Sequence, residues 1–99
     1  MKVIFKQTCS GCPEQYDVFN GTGEQIGYVR LRYGSLRAEC PGYGGRVVYS
    51  ADVSGDGCFR DNAERSRHLA LIADAIREFH EPSFEVLMMD DFDDEGDDA

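Results

Sequence analysis

Between Asp61 and Phe79 the apolar positions keep a helical period: Leu69, Ile72, Ala73 and Ile76 recur at i, i+3, i+4 and i+7, and Phe79 prolongs the stripe. Arg67, Asp74, Arg77 and Glu78 mark the wetter side. One face of this helix is therefore expected to be buried. Its limits are written locally. Asp61 can accept a hydrogen bond from a first-turn amide, and Glu64, three residues on, completes a capping-box pattern. Pro82 disfavours helical geometry at Glu81 and has no amide hydrogen to donate. A lone helix of this length is marginal in water, so it needs a surface to cover.

Upstream the period falls to two, and the chain reads as short strands broken by turn residues. Val3 to Lys6 fits an edge strand, and Cys9 to Pro13 a turn. Gln15 to Asn20 alternates Tyr16 and Val18 against Asp17 and Phe19, then meets Gly21, Thr22 and Gly23, which suit a hairpin. From Gln25 to Tyr33 one side carries Gly27, Val29, Leu31 and Tyr33, the expected core side; Ile26, Tyr28, Arg30 and Arg32 take the other. Gly34 and Ser35 reverse the chain into Leu36, Ala38 and Cys40, which alternate with Arg37 and Glu39. After Pro41, Gly42, Gly44 and Gly45, the stretch from Arg46 to Val53 sets Val47, Tyr49, Ala51 and Val53 against Val48, Ser50 and Asp52.

These elements predict an α+β domain: an antiparallel meander of about five strands with one C-terminal helix packed across one face. Phe84 to Met89, FEVLMM, could add an edge strand or act as an apolar linear motif. Residues 1–89 are read as the single domain and 90–99 as an acidic tail. With 99 residues there is room for one core only.

Charge changes the picture at one end. Seven of the nineteen acidic residues lie between Asp90 and Asp98, so the net charge of −9 falls mostly on the tail and the body is nearly balanced. Such a tail cannot bury enough apolar surface to offset its ordering entropy, and is expected to be disordered in isolation. Asp90, Asp91, Phe92, Asp93 and Asp94, acidic residues around one aromatic, suggest a segment that binds a basic surface on a protein partner or on this protein's own arginines; the plain alternative is a solubilising tail. No apolar run is long enough to cross a bilayer and the N-terminus lacks a signal-peptide core, so the expected compartment is the cytoplasm. Cys9, Cys12, Cys40 and Cys58 are accordingly expected as free thiols.

Four further constellations bear on chemistry. Asp52, Ser54 and Asp56 with Gly57 match the opening of a calcium-binding EF-hand loop, but Ala63 stands where the bidentate glutamate belongs and a strand precedes the loop. An Asp-Gly turn explains the same residues. Cys9 and Cys12 form one CxxC knuckle, for which Cys40, Cys58, His68 and His80 are the pool of further zinc ligands; no second pair has metal-ligand spacing. His68 sits one residue before Leu69, and His80 lies where a positive charge complements the helix dipole. Neither has a nucleophile or carboxylate set beside it by a catalytic motif, so a non-enzymatic protein without a required cofactor is expected, zinc or calcium being the alternative.

The last constellation is the outer sheet face. Tyr28, Arg30, Arg32, Arg37 and Arg46 are expected to share it with Phe19, Ile26 and Val48, opposite the helix. Arginines among aromatics on a sheet can hold single-stranded nucleic acid through phosphate contacts and base stacking. The plain alternative is an ordinary solvated face with cross-strand pairs, and the near-neutral body charge weighs against the nucleic-acid reading, because nonspecific affinity comes largely from excess positive charge.

The run CPEQYDVFNGTGEQIGYVRLRYG, continuing through GGRVVY and GDGCFRDNAER, resembles a group of small uncharacterised proteins from bacteria and their phages over roughly Cys12 to Phe79. That resemblance implies no chemistry and no site residue. A lesser similarity is to half of a tubby-like or LURP-one barrel, though this chain lacks the strands to close one. The leading expectation is a non-catalytic cytoplasmic interaction protein, an accessory or inhibitor protein of a phage or mobile element that binds a basic partner surface; a small metal-binding domain and a nucleic-acid binder are the alternatives.

Overall fold

The computed structural model describes residues 1–9, 13–53, 55 and 57–82. Five strands, β1 (Ile4–Gln7), β2 (Gln15–Phe19), β3 (Gln25–Arg32), β4 (Ser35–Cys40) and β5 (Arg46–Asp52), precede one helix, α1 (Asn62–His80). The strands pair in sequence order, every pair antiparallel, and α1 lies against β3, β4 and β5. This is the α+β meander that the period change predicts.

The core forms where the period-two face of the sheet meets the helical stripe. Val18, Val29, Leu31, Leu36, Ile72 and Ile76 are essentially inaccessible to solvent. Gly27 allows the layers to meet closely: a Cβ there would stand 3.0 Å from Ile76 Cδ1. On α1 the buried row is Glu64, His68, Ile72, Ala73 and Ile76, with Leu69 and Phe79 only partly covered. The stripe is thus turned slightly from the expected one, toward His68, because Tyr49 and Phe59 both pack on that ring.

Two bulges alter the strand faces. Between β2 and β3 the register passes from Val18↔Gly27 to Phe19↔Gln25, so Ile26 is an extra residue. A bulge re-aims the side chain it carries, and Ile26, expected on the outer face, is instead buried at 3% exposure. Between β4 and β5, Ala38 faces Tyr49 while Glu39 faces Val47, which makes Val48 the extra residue. Val48 consequently packs against the core, whereas Val47, expected inside, is 47% exposed.

The β3–β4 reversal is also displaced by one residue. Arg32 pairs with Ser35, leaving Tyr33 and Gly34 as the two-residue loop, at φ 53° and 77°. Positive φ at both central positions is the demand of a type I′ hairpin, which matches strand twist. Tyr33 therefore leaves the core side and is 79% exposed.

Asp61 caps α1 as its spacing predicts, accepting the Glu64 amide at 2.9 Å. Glu64 returns its carboxylate to the amide of Arg60, one residue before the cap, at 2.6 Å. The two bonds satisfy donors on either side of the helix start.

Candidate functional site

Two groups of polar side chains stand out, on opposite sides of the sheet. The first is buried. Glu14, 3% exposed just ahead of β2, accepts the Tyr16 hydroxyl at 2.7 Å, the Phe59 amide at 3.3 Å, and Nε and Nη2 of Arg65 at 3.0 and 2.8 Å. Burial alone would raise the Glu14 pKa, but the hydrogen bonds from Arg65, Tyr16 and Phe59, together with the Arg65 charge, outweigh it and hold the carboxyl below its usual range. Burial, aided by the adjacent carboxylate, pushes the Tyr16 phenol up to about 12.

The backbone of Glu14 is tied as well. Its amide donates to Gly57 O and its carbonyl accepts the Leu31 amide. Apart from the local Tyr16 bond, these contacts join the start of β2 to β3, to the segment before α1 or to α1 itself, so this network is a fastening. His68 belongs to the same layer, stacked on Phe59 and 2.8 Å from the Tyr49 hydroxyl through Nδ1. On the other side of the ring, His68 Nε2 lies 3.4 Å from Arg67 Nη2.

The second group is open to solvent. Register places Tyr28, Arg30 and Arg32 of β3 on one face with Ser35, Arg37 and Glu39 of β4, opposite to α1. With Tyr33 these residues line a concavity of about 150 Å³. Arg30 and Arg37 are direct cross-strand partners, flanked by Gln15 on β2 and Ser50 on β5.

Like charges directly opposite each other repel. Among the described residues, neither arginine, nor Arg32, forms an ion pair that would relieve this. The nearby carboxylates have other partners: Glu39 accepts the Gly44 amide at 2.8 Å, and Asp17 accepts from Gln25 at 3.3 Å.

Aromatic rings border the arginines. Tyr28 meets Tyr43 edge-on, with centroids 5.4 Å apart, and donates its hydroxyl to Gln15 at 3.3 Å. Burial pushes its phenol pKa up, against the pull of the Arg30 charge. Tyr33 lies at the other end with the Arg32 guanidinium 5.3 Å above its ring. Tyr33 and Tyr43 are 79% and 74% exposed. Chemically the face offers positive charge between exposed aromatic rings, with Ser35 and Glu39 beside it.

Arg46, expected among these arginines, is not on this face. It pairs with Cys40, a core-side residue, and lines a groove with Ala75, Glu78 and Phe79 of α1. The β5 bulge is the cause, since one extra residue inverts the alternation before it.

The metal candidates come together poorly. Among the described residues no three His, Cys, Asp or Glu side chains gather as a potential cation site. Cys40 is buried in the core, where desolvation pushes its thiol up to about 11. Cys9 and Cys40 are free, but Cys58 is disulfide-bonded, which corrects the expectation of a free thiol there. Spacing along the chain does not reveal which sulfurs meet in space. Asp52 ends β5, facing Ser35. Cys12, Ser54, Asp56, the Phe84–Met89 segment and the tail residues Asp90, Asp91, Phe92, Asp93 and Asp94 lie outside the described residues.

His80 is more than a charge near the helix end. Its Nε2 donates to the Ile26 carbonyl at 2.8 Å, at the bulge where the ladder is interrupted. Glu14 and Arg65 escaped sequence reasoning because they lie 51 residues apart and neither belongs to a motif. Comparison of the chain with family models, curated proteins and solved structures gives no match in any of the three. No helix among the described residues is long and apolar enough to cross a membrane.

Proposed function

We propose that the protein is a binding module rather than an enzyme, and that the open face of its sheet takes single-stranded nucleic acid. The observation that carries this reading is the Arg30, Arg32 and Arg37 trio, without carboxylate partners among the described residues, between Tyr28 and Tyr33. Unrelieved arginines on a sheet suit phosphates, and bordering rings suit unstacked bases.

The strain at Tyr33 supports the same reading. Asn or Gly would serve the turn more cheaply, yet an aromatic ring is held in the left-handed region and almost fully exposed. Strain of this kind tends to collect where side chains have work to do. The near balance of charge in the body implies modest affinity that falls as salt rises. The tail-centred reading, a protein partner with a basic surface, takes its support from composition alone.

The test is fluorescence anisotropy of labelled single-stranded oligonucleotides against the full chain over a salt series. Binding at low salt that weakens in the Arg30→Gln/Arg37→Gln variant, with a shallower salt slope, is expected. No binding at low salt, or equal binding by variant and wild type, would overturn the proposal.

A further inference from the structure

β5 ends the sheet, and among the described residues no strand lies beyond it. Its sequence, RVVYSAD, has charge only at its two ends and no Lys or Pro, the usual guards of an exposed edge. Beside it runs a groove of about 490 Å³, walled by Arg46, Val47 and Val48 on one side and by Ala75, Glu78 and Phe79 of α1 on the other. Val47 is 47% exposed there. Val47, Val48, Ala75 and Phe79 give this groove an apolar floor along an open sheet edge, with Arg46 and Glu78 as its charged members.

The chain supplies an occupant at the groove's mouth. The C-terminal turn of α1 lies over the strand starts: His80 bonds Ile26 near the beginning of β3, and Phe79 lines the groove together with Val47 and Val48 near the beginning of β5. Pro82 itself lines the groove. One residue, Ser83, then separates it from FEVLMM, the run Phe84–Met89. Alternation would put Phe84, Val86 and Met88 on one side of an extended strand and Glu85, Leu87 and Met89 on the other, so one side is wholly apolar and suits the groove while the other carries a charge. Six residues span about 20 Å at ~3.3 Å each, close to the length of β5.

We propose that Phe84–Met89 of the same chain fills this groove, pairing with β5 as an added parallel strand. A parallel pair requires a connection of a dozen residues or more, usually a helix. α1, with 19 residues directed back along the sheet, is such a crossover.

Hydrogen exchange followed by NMR on the full chain tests this. The β5 amides that do not bond to β4 should be protected at all protein concentrations, and Val86→Asp should abolish that protection while β2, β3 and α1 keep theirs. Fast exchange of those amides in the wild-type chain would overturn the proposal, whatever the variant does. So would protection that appears only as a dimer forms, which would make a second copy the occupant, or protection unchanged by Val86→Asp. Nucleic-acid binding is not read in this experiment, so its outcome is independent of the proposed function.

Discussion

The Arg65 guanidinium on α1 meets the Glu14 carboxylate ahead of β2 with Nη2 2.8 Å from Oε2 and Nε 3.0 Å from Oε1, across 51 residues of chain. Glu14 is 3% exposed and Arg65 32%. Removing one partner strands the other charge against low-dielectric surroundings. Glu14→Gln or Arg65→Met should each cost about 2–3 kcal/mol in urea denaturation, somewhat below the range for fully buried pairs because Arg65 retains contact with water. The double variant should lose clearly less than the sum. Additive losses would mean that the two groups act separately.

The same pair sets a pH dependence. Because the folded-state pKa of Glu14 is lowered from 4.5, its contribution to stability is fully present above about that pH and is lost as the pH falls through the lowered value. Wild type should therefore lose more stability than Glu14→Gln between pH 5 and pH 2. Parallel melting-temperature curves for the two proteins over that range would contradict the assignment.

At Gly27 the sheet and helix meet closely, and an added Cβ would stand 3.0 Å from Ile76 Cδ1, which must shift to admit it. Gly27→Ala should destabilise by roughly 1–3 kcal/mol through overpacking. Gly27→Ala combined with Ile76→Val should cost less than Gly27→Ala alone. Chemical denaturation of the three variants decides it.

Tyr33 and Arg37 predict a trade between stability and binding. Tyr33→Asn relaxes the left-handed turn position and should raise stability by about 0.5–1 kcal/mol. Arg37→Thr removes the like-charge pair with Arg30 and should gain a few tenths of a kcal/mol. Both should weaken oligonucleotide binding in anisotropy titrations. A substitution that leaves binding intact removes that residue from the proposed surface.

The acidic tail should oppose the arginines. Truncation after Met89 removes seven negative charges and should tighten binding at low salt, with little effect near 1 M salt, where screening reaches only about 3 Å. Equal affinities at low salt would show that the tail does not sense the arginine face.

Local chemistry made much of the fold legible. The helical spacing from Leu69 to Ile76, the Asp61 cap and the alternation of Leu36, Ala38 and Cys40 each express a rule that operates within a few residues. The strand order followed from short turns, which leave neighbours antiparallel. These are the features that the sequence by itself determined: a meander, one covering helix and a candidate arginine face on β3 and β4. What only the tertiary structure decided are the exceptions to alternation and the long-range pairs. One inserted residue at Ile26 and another at Val48 cost nothing visible in the sequence, yet each reverses a side-chain direction, burying Ile26 and carrying Arg46 to the helix side. The meeting of Glu14 with Arg65, of His68 with Phe59 and of His80 with the Ile26 carbonyl likewise required the layers to be assembled, because a contact between residues distant in sequence has no period to announce it.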